Sequence, residues 1–247
     1  MKYILYKDIG ITSNDFAYQC KILLNTKRLC YVGRLDPMAK GDMIILTDDD
    51  VKNMDTYIGN NKTYRFDIII GLSTVSGDIA SEIVRTQCVN DNNILMNTIE
   101  DKISTFIKTY TIQKYHPISS YMYRHGNIRK PLWWYTQNNI HIDNIPQKDV
   151  HIHDYTIYTK KYIDVHDFNE LVIERLQTIK NTKTREDLKV EKIMDFYNNN
   201  VKDSRYMSIE MEMHVSSGFY IRQFCVDFGE YIGYPCIAMD IHRITIE

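Results

Sequence analysis

The most pointed chemistry in the chain lies between Gly33 and Gly41, which read Gly-Arg-Leu-Asp-Pro-Met-Ala-Lys-Gly. Proline fixes its own φ and pushes its predecessor away from the helical region, so Asp36 is expected to stand extended in a turn. The glycines on either side admit another backbone at close range. A carboxylate displayed in this way is placed to act on a ligand, and the same residues also make an ordinary Asp-Pro turn. A second feature runs over 102–142, with six basic residues (Lys102, Lys108, Lys114, Arg124, Arg129, Lys130) and no acid. Tyr110, Tyr115, Tyr121, Tyr123, Trp133, Trp134 and Tyr135 are interleaved with them. Cations among flat rings suit a polyanion with stackable bases; a solvated basic surface with rings packed beneath it gives the same pattern. His151-x-His153 sets two imidazoles on one side of a strand, as a metal pair would, but with no third ligand in view the pattern reads as exposed strand histidines. Ser119-Ser120 and Ser216-Ser217 have no evident base partner, and neither a phosphate-cradling loop nor a dinucleotide fingerprint is present.

These groups need a scaffold, and the bulk composition describes one. The chain has 247 residues, a net charge of −2, 44% apolar residues and 25% charged residues, which are globular values and exclude a disordered or fibrous chain. No run approaches the roughly 18 apolar residues of a membrane span. The first residues meet charge too early for a secretory signal. Five cysteines without a CxxC pair argue against a disulfide framework and a zinc knuckle, and for free thiols in a reducing, intracellular and cytoplasmic setting. Net neutrality is unusual for a nucleic-acid binder, but local charge is what a phosphate backbone meets. The first 47 residues carry seven basic against four acidic side chains, a local +3.

Helical spacing of Phe16, Cys20 and Leu23 predicts a helix over about 15–24, capped by Ser13 or Asn14. Strands are expected at 43–46, 63–70, 150–158 and 208–215, and helices at 93–105 and 220–231. Helical periodicity recurs at 168–179 and 185–197, within a charged stretch over 163–204 that reads as a helical insertion, with a break at 198–200. Strands mixed with helices, without strict alternation, give an α+β fold in one domain over 1–247.

At this point the residues resemble a family. Leu35-Asp36-Pro37 with Ala39 and Gly41 is similar to the signature of the TruB family of RNA pseudouridine synthases. Lys7, Gly10, Thr12, Ser13 and Asn14 resemble that family's opening Lys-Pro-x-Gly-x-Thr-Ser-Asn, and Lys62-Thr63-Tyr64 with Gly71, Thr74 and Asp78 its tyrosine strand. Gln113, Pro117, Ser120, Gly126 and Leu132 follow in order. Ser217-Gly218-Phe219-Tyr220-Ile221-Arg222, Asp227, Gly229-Glu230, Gly233 and Arg243 resemble the family's ending. The ordered blocks span nearly the whole chain.

The resemblance implies a mixed, mainly antiparallel sheet flanked by helices, and an isomerase that turns a specific uridine of RNA, the T-loop uridine of tRNA, into pseudouridine. That reaction breaks an N-glycosidic bond, rotates the uracil and rejoins it through carbon 5. It needs neither redox nor phosphoryl transfer, so no metal or organic cofactor is expected. By resemblance Asp36 is the nucleophile, Arg222 its cationic partner, and Tyr64 the ring that stacks on the base and takes the carbon-5 proton. An opposed charge at close range favours an ionised carboxylate, and a planar guanidinium can also orient it. Lys7, Tyr31, Tyr220, Ile241 and Arg243 match substrate-binding positions, Lys7 as a support of the site. The implied partner is RNA, a tRNA T-arm stem-loop, bound by a monomer without a membrane.

The chain also departs from the family pattern. Tyr31 stands where a histidine is usual, Asp8 replaces a proline, Val75 an acid, Tyr123 a lysine and Gln137 an arginine. The last four residues after Arg243 leave no room for the PUA domain found in many members, so none is expected. An RNA-binding or tRNA-folding module of the same fold, without catalysis, is the competing reading, although a binder has no need of Asp36, Tyr64 and Arg222 together.

Overall fold

In the computed structural model, residues 1–89, 94–180, 190–199 and 205–246 are described. The chain opens with strand β1 (Lys2–Lys7), helix α1 (Ser13–Leu23) and strands β2 (Leu29–Val32) and β3 (Lys40–Thr47). A 3-10 turn over Asp48–Asn53 and the short helix α2 (Met54–Ile58) lead into β4 (Lys62–Ile70). The pair β5 (Leu72–Thr74) and β6 (Ile83–Thr86) precedes α3 (Ile94–Thr109) and β7 (Ile112–Lys114). A second hairpin, β8 (Met122–His125) and β9 (Ile128–Pro131), is followed by α4 (Leu132–Gln137) and β10 (Gln147–Asp149). The last third holds β11 (Ile152–Asp164), α5 (Val165–Lys180), α6 (Val190–Asn199), β12 (Arg205–Val215), α7 (Ile221–Ile232) and β13 (Cys236–Ile246).

Seven strands join in one sheet in the order β1-β3-β13-β4-β12-β11, with β2 on β3. Its pairings are antiparallel except β13 with β3, so the α+β reading holds. Alternation along β4 and β13 divides the core between the two faces of the sheet. Phe66, Ile68, Ile70 and Ala238 join the cluster that holds Phe106 of α3 and Phe224 and Phe228 of α7. Ile69, Ile237 and Met239 join the one built on Phe168, Val172 and Leu176 of α5 and Ile193 and Tyr197 of α6. Met38, from the Asp36 loop, belongs to this second cluster, so α5 and α6 support that loop from behind.

The expected elements are present with shifted bounds, strand 43–46 extending over Lys40–Thr47, strand 150–158 starting at Ile152, and helix 168–179 lying inside α5, while α6 runs on through residues 198 and 199, where a break was expected. Residue 93 of one expected helix, 185–189 of another and part of the break at 198–200 fall outside the described residues. The cap of α1 is Thr12, whose side chain accepts from the Asp15 amide at 3.1 Å; the Ser13 hydroxyl is taken by Leu35 instead. No helix among the described residues is long and apolar enough to cross a membrane. All five cysteines are free thiols.

Candidate active site

The loop between β2 and β3 is held through its backbone, which leaves the Asp36 side chain uncommitted to it. The Ser13 hydroxyl donates to the Leu35 carbonyl at 2.7 Å and accepts from the Leu35 amide at 2.9 Å. The Gly10 amide donates to the Pro37 carbonyl at 2.9 Å, and the Ala39 amide to the Asp36 carbonyl at 3.0 Å. Lys7 completes the underside: its Nζ donates to the carbonyls of Asp8 (2.9 Å), Asp36 (3.2 Å) and Ala39 (2.7 Å). Burial lowers the Lys7 pKa to about 8, against the pull of Asp36. Lys7 is fully buried beneath the loop, where it holds backbone carbonyls rather than facing the cleft.

Arg222 enters from the first turn of α7. Its Nε donates to Asp36 Oδ2 at 2.7 Å, Nη1 to the Ser76 carbonyl at 2.5 Å, and Nη2 to the Ile118 carbonyl at 3.1 Å. The Asp36 side chain keeps 34% of its surface exposed while that of Arg222 keeps 5%, so the pair presents a carboxylate and hides its counterion. Asp78 Oδ2 lies 3.8 Å from Arg222 Nε, with Asp78 Oδ1 accepting from Ser76 Oγ (2.5 Å) and the Ala80 amide (2.9 Å). Burial opposes the charge on Arg222, but Asp36 and Asp78 together outweigh it and raise the guanidinium pKa further. Burial raises Asp78, with Arg222 and Ser76 opposing. His116 sits beside this network with its pKa lowered to about 3 by burial and by Arg222, so it stays neutral; its Nδ1 accepts from the Ile118 amide at 3.0 Å.

Asp36 and Arg222 line a cleft of about 270 Å³ together with Tyr64, Tyr220, Ile241 and Arg243. β4 brings Tyr64, β13 brings Ile241 and Arg243, and the turn before α7 brings Tyr220. Tyr220 is fixed by Gln113, which accepts from its amide at 2.8 Å and donates to its carbonyl at 3.0 Å. Gln113 also donates to the Tyr110 hydroxyl at 3.0 Å, which in turn donates to Asp227 at 2.5 Å. Burial and the Asp36 charge raise the Tyr220 pKa, so its hydroxyl stays protonated. A second cavity of about 410 Å³ lies on the other side of Asp36 and Arg222, lined also by Asn14, Ser76, Asp78, Trp133 and Gln137.

Of the residues singled out in the sequence, Asp36, Tyr64, Arg222, Tyr220, Ile241 and Arg243 therefore meet at one cleft. Tyr31 stands outside it, with its hydroxyl donating to Asn14 at 2.5 Å and accepting from Arg34 at 3.0 Å. Asp78, Ser76, Gln113 and His116 had no assigned role. Asp78 and Gln113 stood in the ordered blocks, whereas nothing local marks Ser76 or His116. Within 102–142, Tyr110 and Tyr135 are core, contrary to a stacking role, while Trp133 is exposed and Arg124, Arg129 and Lys130 face solvent. The rings of His151 and His153 lie 4.6 Å apart, with His214 4.8 Å from His153. Among the described residues no group of three or more His, Cys, Asp or Glu is arranged to hold a metal.

Comparison with known proteins adds to this geometry. A family model described as "TruB family pseudouridylate synthase (N terminal domain)" matches residues 21–171. A protein named tRNA pseudouridine synthase B from Staphylococcus epidermidis is 25% identical over 98% of this chain and 64% of its own length. One of the same name from Blochmanniella floridana is 26% identical over 98% of the chain and 74% of its own length. The chain thus spans less than two thirds of the staphylococcal relative. Among solved structures, a Cbf5-Nop10-Gar1 complex aligns over 99% of this chain and 48% of its own, with a TM-score of 0.51 at 11% identity. An H/ACA RNP bound to a substrate RNA containing 2′-deoxyuridine aligns over 98% of this chain and 46% of its own, with a TM-score of 0.50 at 11% identity. Those two likenesses concern the fold.

Proposed function

The chain belongs to the TruB family of pseudouridylate synthases, and from that premise we propose that it isomerises one uridine of tRNA, in the T-loop, to pseudouridine. The observation that carries the proposal is the 2.7 Å contact of Arg222 with Asp36 in a cleft that Tyr64 also lines. In this reading the flipped uracil stacks on Tyr64, which offsets the few kcal/mol needed to unstack it. Asp36 is the nucleophile, held in one orientation by the guanidinium fork. An Asp36 carboxylate oxygen bonds to C1′ as the N1–C1′ bond breaks, the freed uracil turns, and C5 then displaces Asp36 from C1′, which restores the carboxylate. The C5 proton leaves by way of Tyr64, and N1 ends protonated. Tyr220, kept as a phenol, and Ile241 wall the pocket against water. Because Tyr64 and Arg222 come from β4 and α7 of one rigid scaffold, the base has a fixed place relative to Asp36.

The proposal extends to the whole chain as a single catalytic domain over 1–247, acting as an intracellular monomer on a T-arm stem-loop, with 163–204 inserted into it. Support for an RNA partner comes from the exposed Arg124, Arg129 and Lys130 and from Trp133, which lines the second cavity. An unmodified tRNA transcript incubated with the protein and mapped at single-nucleotide resolution tests the reading. One conversion, in the T-loop, is expected. Tight binding without conversion at any position would replace the enzyme by an RNA-binding module.

A further inference from the structure

One wall of the cleft carries positive charge that Asp36 does not balance. Arg243 is 1% exposed and lines the cleft, and its Nε is committed to the Asp42 carbonyl at 2.7 Å. Its two terminal nitrogens, Nη1 and Nη2, are buried without a hydrogen-bond partner among the described residues. Lys62, at the start of β4, is 5% exposed and lines the same wall, with its Nζ donating to the Asn60 carbonyl. Lys148, on β10, reaches the Ser217 carbonyl at 2.5 Å. None of the three makes an ion pair with an acid among the described residues. Burial lowers the Lys62 pKa to about 8, and the charges of Arg243 and Lys148 push it the same way.

Glycines make the space for these cations. A Cβ at Gly33, whose φ is +74°, would stand 3.1 Å from Arg243 Nη1. A Cβ at Gly218, also at φ +74°, would collide with Lys148 Nζ. Buried cations without counterions are costly, and an unsatisfied guanidinium more so. Hydrogen bonds to a charged partner are the strong ones, and a guanidinium fork matches the tetrahedral oxygens of a phosphate. Asp36 is paired with Arg222 at 2.7 Å, which offsets part of its charge where a second anion would enter the same cleft.

We infer that Arg243, Lys62 and Lys148 form an anion subsite that grips one RNA phosphodiester flanking the target uridine. The inference rests on the proposed function for the identity of the RNA. It adds a fixed backbone anchor: the phosphate on the basic wall sets how far the flipped base reaches toward Asp36 and Tyr64.

The test uses the full chain and a stem-loop RNA with one methylphosphonate, which is neutral, at the phosphodiester 5′ or 3′ of the target uridine. Affinity is measured for the wild type, Lys148→Gln and Lys62→Gln. Lys148 is only half-buried, so its variant is expected to fold even if Arg243→Gln does not. One of the two methylphosphonates should weaken wild-type binding on the order of tenfold or more. That penalty should shrink to within about threefold in Lys148→Gln and Lys62→Gln. The salt dependence of log Kd should fall by about 0.7–0.9 for each contact removed. A penalty at neither position, or one that persists undiminished in both variants, overturns the subsite. Competition by inorganic phosphate with no methylphosphonate penalty overturns its assignment to RNA. Pseudouridine formation on the unsubstituted stem-loop is followed in parallel. Its absence in the wild type counts against the enzyme reading, while the binding comparison still decides the subsite.

Discussion

Lysine at position 222 keeps the charge and loses the shape. The guanidinium of Arg222 spends one nitrogen on Asp36 at 2.7 Å, one on the Ser76 carbonyl at 2.5 Å and one on the Ile118 carbonyl at 3.1 Å. These acceptors surround a flat group, and a single ammonium cannot reach all three. If it follows Asp36, the two carbonyls lose charged donors. Each such bond is worth about 1.5–3 kcal/mol, so Arg222→Lys should cost about 3–6 kcal/mol of stability before relaxation. If the ammonium follows the carbonyls, Asp36 loses its partner. Either way the carboxylate shifts, and misplacement of a reacting group by about 1 Å can cost on the order of 10²-fold. We expect the single-turnover rate on a T-arm stem-loop, read by release of tritium from carbon 5, to fall at least about 10²-fold, or about 2.7 kcal/mol of barrier. RNA affinity should stay within about threefold, because the guanidinium is hidden behind Asp36. Urea unfolding measured alongside separates loss of fold from loss of rate. A lysine variant that keeps its rate within about fivefold, whatever its stability, would show that charge alone suffices and that the fork does not orient Asp36.

Two further outcomes follow from buried groups around the cleft. Gln113→Leu removes both hydrogen bonds to the Tyr220 backbone and the one to Tyr110; unsatisfied buried groups cost about 1–3 kcal/mol each, so unfolding should require several kcal/mol less and the turnover rate should fall. An unchanged urea midpoint would contradict this. Asp67, on β4, is raised from 3.8 to about 7 by burial, then by the charges of Asp240 and Glu210. A raised folded-state pKa gives stability that is present below about pH 4 and is lost as pH rises to about 7. Asp67→Asn should therefore leave stability nearly unchanged at pH 4 and add on the order of 1–4 kcal/mol at pH 8 in urea unfolding. An equal effect at both pH values would refute that cause.

Local rules carried the reading of the sequence a long way and then stopped at recognisable places. Period-2 alternation marked β4 and β12 because over much of their length one face is buried and the other half-exposed, and the proline and glycines around Asp36 marked its turn without any tertiary information. Helical spacing located α1, but its cap went to Thr12 because Leu35, distant in sequence, claims the Ser13 hydroxyl. Residue type alone does not bury Lys7; its support of the site came from the family opening, and three carbonyls converging on it explain its complete burial. Tyr110 and Tyr135 lie among cations in the sequence, yet their rings turn inward; composition over 102–142 does not say which side of an element faces the core. Arg222 and Asp36 are 186 residues apart, a pairing that came from the ordered family blocks rather than from spacing. Ser76 and His116 contribute a carbonyl and a neutral ring, and neither has a signature in residue type.

Asp36→Asn provides the most direct measurement. The side chain keeps its size and its place beside Arg222 but loses the charge and the nucleophile. The wild type should convert one T-loop uridine of an unmodified stem-loop, while the variant should bind the same RNA within a few-fold and yield no pseudouridine over many wild-type turnover times. Conversion by the asparagine variant at a rate near that of the wild type would contradict the role given to Asp36.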